Sequence, residues 1–551
     1  MACLVSCLRM RWLFRALLLF AFIGGIAWFH HIRTYRPTRV AVANRAGILL
    51  LGNGSEPATL DPQLASGQPE HLIFHALFEG LIAPAPGNPD GDAPGAAVSW
   101  TQENFTVWTF KLQPHGRWSD GKPLTAADFL YAYQRMLTAQ LGADYASMLY
   151  PMRNAEEYHT GKIKDFSQVG VKALDPLTLQ ITLKGPAPYL PSMLKHYAWF
   201  PVPQQAIEKF GKMTDRNTRW TRPANMVCNG PFKLKSWEVN QALTVERNPH
   251  YWDAATVKLN GIVFLPISSD TTEELAFHDG QIHVTMTVPL SKIPAYRESK
   301  SPYYHNDPLL SVYMYRCNTT KKPFDNPLVR RALALAIDRE SITRNILRAG
   351  QQPATGLTPP GCNPDYKVPN IMRFDPAEAR RLLAEAGFPD GKGFPPFDIL
   401  INTSEAHRSL AEAVQAMWKE HLHIPAGVLN QDWGVYLESQ RKFDYQIARF
   451  GWVGDYLDPS TFLTIWQSGD GNNNTGWSSK RYDELIHQSF REGDAAKRLQ
   501  LLSEAETILL NEAPMLPVYW YTHSYLMRPE VKGLLPSLLE HRCYKAVELK
   551  P

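Results

Sequence analysis

Cysteine is scarce in this chain, with six in 551 residues, and none of the six forms a recognisable ligand set. Cys3 and Cys7 precede an apolar N-terminal run, while Cys228, Cys317, Cys362 and Cys543 lie far apart with neither CxxC nor Cys/His spacing. A structural zinc motif and a disulfide framework are therefore not indicated, although one or two unassigned bridges remain open in an exported protein. Charge of one sign is equally scarce: 57 Lys and Arg against 53 Asp and Glu give a formal +4 with no long basic run. The electrostatic footprint of a nucleic-acid binder is missing, so no nucleic-acid partner is expected. There is no HExxH, no GxSxG, no Walker A sequence and no cysteine in a reactive motif, which leaves an enzyme with little support. The Asn-rich SGDGNNNTGW (468–477) lacks the terminal glutamate of an EF-hand and reads as a polar surface loop. No cofactor and no metal are expected. Internal repeats and low-complexity segments are absent too.

What the chain does have is length, aromatics and an apolar leader. At 551 residues it should divide into two or three lobes, each with its own core. Trp (15) and Tyr (23) are numerous enough to line ligand-gripping surfaces as well as cores. Arg9, Arg11 and Arg15 precede ALLLFAFIGGIAWF (16–29), and the uncharged run continues to Ile32, about seventeen residues in all. That is an export signal or a membrane anchor. No cysteine follows the run for lipoprotein processing, and the small-residue Ala41-Val42-Ala43 lies far beyond it, so an uncleaved anchor is favoured. By the positive-inside bias the N-terminus is cytoplasmic and the remainder outside, with Arg33, Arg36 and Arg39 opposing that orientation.

Along the rest of the chain, GILLLGNGSEPATLDPQLAS (47–66) runs from an apolar strand into turn residues, alternating apolar residues predict strands at FTVWTFKLQ (105–113) and LLSVYMYRCN (309–318), and LTLQITL (177–183) and LNGIVFLPI (259–267) read as further strands. More strands are predicted at FDILINT (397–403), AGVLNQ (426–431) and YQIARFGW (445–452). Helical spacing is read at 71–84 through Ile73, Leu77 and Leu81, at 326–342 and at 407–422, with shorter helices at 271–279 and 290–296. Thr125 and Asp128 make the capping box of a helix carrying Phe129, Ala132 and Tyr133 on its apolar face. The helix at 374–388 is the best punctuated: Asp375 caps it, Pro376 opens it, Glu378 follows three residues after the cap, and Gly387 ends it. Strands alternating with helices imply an α/β lobe, a sheet with covered faces.

Within FGWVGDYLDPSTF (450–462), Asp455 stands among glycines and aromatics with no basic residue nearer than Arg449. On its own it reads as a turn aspartate or a helix cap as readily as a receptor for a cation. Asp455 and Asp458 sit too close on one turn to face each other as a glycosidase pair would.

Taken together and in order, SEPATLDPQLASGQPEHLIFHALFEGL, VWTFKLQPHGRWSDGKPLTAADFLYAYQRM, NGPFKLKSWEVN, PLVRRALALAIDRESI and RFGWVGDYLDPSTF resemble the extracytoplasmic oligopeptide/dipeptide-binding proteins of ABC importers, solute-binding protein family 5. The resemblance runs from about residue 48 to the C-terminus. It implies an α/β, two-lobed periplasmic-binding-protein fold with a hinge and an extra domain inserted in the first lobe. The expected divisions are 1–46 as anchor or signal segment, 47–80 and 202–306 as the first lobe, 81–201 as the inserted domain, 307–522 as the second lobe, and 523–551 returning to the first. It further implies a monomer that captures an oligopeptide in the interlobe cleft and delivers it to an inner-membrane permease, held in the periplasm by the N-terminal segment. Other solutes carried by the family are nickel chelates, haem, opines and cell-wall peptides; a hydrolase using Asp455 is a remote alternative.

By the same resemblance, Asp455 pairs with the ligand's α-ammonium and the Tyr145 hydroxyl joins it. Gly451, Trp452 and Val453, with Ser66, Gly67 and Gln68, pair with its main chain, a β-augmentation that reads no side chain. Trp433 and Trp452 wall side-chain pockets. Arg449 and His407 supply positive charge near the ligand carboxylate, with the permanent cation Arg449 preferred. Gln440 and Arg441 stand where relatives vary their charge. Val453 and Ser311 replace a cysteine pair found in some relatives, so that cross-link is not expected.

Overall fold

The computed structural model describes residues 37–550 together with Trp12, Arg15 and residues 17–25. Most of the expected anchor, and Cys3 and Cys7 with it, lies outside the described residues. Residues 17–25 are helical and exposed, and among the described residues no helix is long and apolar enough to cross a membrane.

Two sheets organise the two lobes. The first is four-stranded: Ile48–Gly52 lies parallel to Gly261–Leu265, followed by antiparallel Ala242–Arg247 and Phe232–Glu238. The second is six-stranded in the order Gln352–Pro353, Met515–Leu526, Tyr304–Cys317, Ile447–Val453, Phe397–Asn402 and Ala426–Gln431. Its two strands Phe397–Asn402 and Ala426–Gln431 are parallel, joined through the helix Glu405–Leu422. The apolar alternation of the sequence becomes burial here: Ile399, Ile401, Ile447 and Val312 are fully enclosed.

Strands Tyr304–Cys317 and Met515–Leu526 are far longer than their neighbours and form the connection between the lobes. Val312 to Arg316 pairs inside the six-stranded sheet, whereas Tyr304 to Pro308 pairs with Thr522 to Leu526 beyond a register shift. That outer ribbon docks on the first lobe, where the Thr285 N–H donates to the Leu526 carbonyl (2.9 Å) and Val284 bridges Leu51 to Met527.

Between Ile48–Gly52 and Phe232–Glu238 the chain inserts an antiparallel sheet of Ala97–Glu103, Val107–Leu112, Thr178–Thr182 and Val171–Asp175. Its helix Ala126–Leu137 starts where the capping box predicts: the Asp128 carboxylate accepts the Thr125 N–H at 2.7 Å. From the same helix a fully buried Arg135 forks onto Asp61 (2.7 and 3.1 Å) and donates to Gln63. That ties the insertion to the segment leading into residues 66–68.

Two helices differ from the sequence reading. The helix expected over 71–84 runs Gln68–Leu77 and stops at Phe78. Gly80 is pressed against the Leu194 carbonyl, where an added Cβ would stand 2.4 Å away, and Asn229 exchanges two hydrogen bonds with the Glu79 backbone. Leu81 therefore leads into the strand Ile82–Ala85 rather than extending the helix. The helix expected over 326–342 breaks after Leu335, because the buried Arg339 guanidinium binds the Ala334, Ile337 and Pro517 carbonyls and Asp338 caps a new turn. The helix Pro376–Glu385 keeps all of its punctuation, with the Asp375 carboxylate accepting the Glu378 N–H and Gly387 at φ 98°.

Candidate functional site

A cavity of about 370 Å³ lies between the lobes, and all twelve candidate residues named from the sequence line it. The strand Ile447–Val453 forms one wall. On one side it pairs antiparallel with Tyr304–Cys317 from Ile447 to Val453, but on the other Phe397–Asn402 covers only Ile447 and Ala448. The Gly454 N–H donates to the Leu310 carbonyl (2.8 Å) and the Asn318 N–H to the Gln446 carbonyl (2.9 Å), which fixes the phase of the ladder. Even-numbered residues thus face Tyr304–Cys317, and Arg449, Gly451 and Val453 turn their backbone groups to the open edge. The Tyr436 hydroxyl satisfies the Arg449 carbonyl. Gly451 and Val453 keep an unpaired edge, the geometry that accepts an added strand.

Asp455 follows this strand in a loop whose shape is set by hydroxyls: its N–H donates to Thr461 Oγ1 at 2.8 Å. Its carboxylate is buried and accepts from the Tyr145 hydroxyl on Oδ1 (3.1 Å) and from the Thr461 hydroxyl on Oδ2 (3.3 Å). His196 Nε2 lies 3.3 Å from Oδ1. His196 Nδ1 accepts the Ala198 N–H, so the ring proton sits on Nε2 and points at Asp455. Burial holds that imidazole well below its ordinary pKa, hence neutral. Burial likewise pushes the Asp455 carboxyl well above the carboxylate range, against the lowering effect of the Tyr145 and Thr461 hydrogen bonds. Every donor to Asp455 is neutral, and no Lys or Arg pairs with it among the described residues. A desolvated carboxylate of this kind is relieved by a cation.

Arg449 is its counterpart at the other end of the wall. The guanidinium lies 5.0 Å from the centre of the Tyr313 ring, donates to the Tyr521 hydroxyl at 2.8 Å, and has no carboxylate within ion-pair distance among the described residues. His407 does not share that charge: burial first and Arg449 second hold it well below the usual histidine pKa. Of the two positive groups expected near a carboxylate, only Arg449 is one.

The remaining candidates divide by what already occupies them. Trp452 is buried against Tyr145 with its indole N–H unpaired, and Trp433 stacks on Tyr436. The Gln440 side-chain carbonyl accepts from Arg316 at 3.2 Å, and Arg441 pairs with Asp144 at 2.6 Å. Ser66 to Gln68 is not extended throughout: Gly67 is extended backbone capping the helix, and Gln68 is the helix's first residue. Ser311 and Val453 do sit opposite each other in register, with side chains that cannot cross-link. Cys228, Cys317, Cys362 and Cys543 are free and buried. His196 and Asp144 belong to the site and gave no signal in the sequence, because only the fold brings them to Asp455 and Arg441, while Thr461, six residues past Asp455, reads there as an ordinary loop hydroxyl.

The lobes are closed on this cavity. Arg441 and Asn472 grip Asp144 from across the cleft, and on another edge the Glu405 carboxylate accepts from the Ser269 and Thr271 hydroxyls at 2.7 Å each. A Cβ added at Gly67 would lie 2.3 Å from the Glu70 carboxylate of its own helix and 2.6 Å from the Trp433 indole across the cleft. Gly67→Ala should therefore resist closure by about 1–3 kcal/mol, the scale of overpacking. A larger radius of gyration in solution and weaker ligand binding are expected; wild-type values for both would show that the contact is easily relieved.

A hinged pair of α/β lobes, with an open strand edge, a buried carboxyl and a guanidinium without a carboxylate partner among the described residues in the cleft between them, defines a solute receptor that works by closing. The chain belongs to family 5 of the bacterial extracellular solute-binding proteins, whose middle region matches residues 93–474. It is 38% identical over 506 residues to the periplasmic oligopeptide-binding protein OppA of Salmonella typhimurium, covering 90% of this chain and 91% of that one. The crystal structure of Haemophilus influenzae OppA in complex with RPPGFSPFR superposes with a TM-score of 0.86 at 31% identity, over 91% of this chain and 99% of the other. Against the unliganded open form of the murein tripeptide-binding protein MppA the TM-score is 0.60 at 32% identity, over 91% and 97%. The lobes here are arranged as in the peptide complex.

Proposed function

We propose that this chain captures short peptides in the interlobe cleft and hands them to an ABC importer. The observation that carries the reading is the buried, cation-free Asp455 carboxylate beside the open edge of Gly451 and Val453. The peptide's α-ammonium binds Asp455, its backbone continues the sheet, and its carboxylate lies toward Arg449. Backbone pairing makes the receptor tolerant of sequence, and contacts to both lobes favour the closed state that a permease would recognise. Residues 47–80, 202–306 and 523–551 form the first lobe, 81–201 the inserted domain and 307–522 the second lobe. The protein acts as a monomer outside the cytoplasm, tethered by the segment expected over 1–46, of which the helix Arg39–Ala46 instead packs on the first lobe through Val40 and Ala43. A hydrolytic role for Asp455 would need a partner group, and Asp458 is not one, being held by a two-pronged Arg498 contact.

Blocking the ammonium tests this directly. An N-acetylated tripeptide should bind at least about tenfold more weakly than the free tripeptide in calorimetry, since it removes a charge-assisted hydrogen bond from a buried site. Equal affinities would remove the ammonium from the account. Native mass spectrometry of the purified chain would report the mass of any ligand carried through purification.

A further inference from the structure

Beneath the floor of the cleft lies a cluster that peptide capture does not use. The helix Gln68–Leu77 sets His71 and His75 one turn apart on one face, and His541 of the returning C-terminal segment packs against both. All three are buried, and one ring nitrogen from each lies within 4.8 Å of the others. His71 Nε2 and His75 Nε2 are 3.2 Å apart. Two imidazoles bound to one tetrahedral ion at 2.0–2.1 Å would have their nitrogens about 3.3 Å apart. His541 makes the point more sharply: neither of its ring nitrogens has a hydrogen-bond partner, although the ring is completely enclosed. A buried polar atom without a partner is costly, and a ring with two of them calls for an explanation.

We propose that His71, His75 and His541 bind a single transition-metal ion that prefers imidazole, with Zn(II) as the reference ion. Each ring presents a nitrogen close enough to the other two to share one ion. Two cations stand near the cluster, and each has its own anion. Lys195 lies 3.0 Å from Asp92 and also donates to the Asp90 and Gly91 carbonyls, while Arg542 pairs with Glu540. His71 also lines the interlobe cavity. The ion would pin the C-terminal segment to the helix that begins at Gln68, stiffening the side of the cleft that carries Ser66 and Gly67.

The test uses the full chain without a polyhistidine tag, stripped with chelator and titrated with Zn(II) or Co(II). One ion per chain is expected, with the visible d–d bands of tetrahedral Co(II) and a Zn(II)-dependent rise in Tm. His75→Gln and His541→Gln should each lose at least about tenfold in metal affinity, with circular dichroism and peptide affinity in chelator unchanged. Wild-type protein without Co(II) bands or a Tm response would overturn the site whatever the variants do. Folded variants that bind as much metal as the wild type, as tightly, would assign the metal to surface histidines and overturn it as well. Peptide affinity in chelator is a separate readout, so failure of the metal site leaves the peptide reading untouched.

Discussion

Asp455→Asn is expected to weaken binding of an unmodified peptide by about 2–5 kcal/mol, the range for leaving a buried charge without its partner. In calorimetry that is a loss of between about thirtyfold and several thousandfold. The substitution keeps size and shape and leaves one oxygen to accept from Tyr145 or Thr461. It removes the charge and turns an amide N–H₂ toward a pocket already supplied with donors from Tyr145 and His196. Asp455→Ala should be no milder, because it strands both of those donors. An Asp455→Asn variant with wild-type affinity would end the assignment.

The same carboxylate gives a pH signature whose sign is fixed. Its pKa in the folded, ligand-free chain lies well above the ordinary 3.8, burial being the main cause, so the native state holds its proton longer than the unfolded state does. Its contribution to ligand-free stability therefore falls as pH rises above the ordinary aspartate value. An ammonium at Asp455 reverses that trend by stabilising the anion. The Tm gained on adding peptide should grow as pH rises above the ordinary aspartate value in the wild type, and Asp455→Asn should flatten that growth.

Local chemistry made much of the fold legible. Asp375, Pro376 and Gly387 bound their helix without outside help, and the alternation in 309–318 and 445–452 marks the two strands that pair in the second lobe. Where the sequence misled, the cause was a distant contact. Arg339 ends one helix by reaching the Pro517 carbonyl, and the approach of Gly80 to Leu194 ends another. The site was legible only through the family's pattern: Asp455 alone reads as a turn, and nothing near it in sequence announces His196 or Thr461. Nothing in the sequence marks Asp144 as the partner of Arg441, because the two lie 297 residues apart.

Asp458→Asn should destabilise the second lobe by about 3–5 kcal/mol, the cost of leaving a buried charge alone. Arg498 Nη1 and Nη2 donate to Asp458 Oδ2 and Oδ1 at 2.7 and 2.8 Å, a buried fork, with the guanidinium 4.6 Å from the centre of the Tyr189 ring. Asp458 Oδ1 also accepts from the Ser460 N–H and hydroxyl, which fixes the turn between Asp455 and Thr461. Loss of the fork thus reaches the Asp455 carboxylate, three positions earlier in the chain, and peptide affinity should fall along with the urea midpoint. Replacing both partners, as Asp458→Leu with Arg498→Met, should recover part of the stability, because the pair's cost of burial disappears with it. It should not recover affinity to the same extent, since the Ser460 anchor is gone. If both quantities recover in parallel, the fork acts only on stability and the loop that presents Asp455 holds its shape without it.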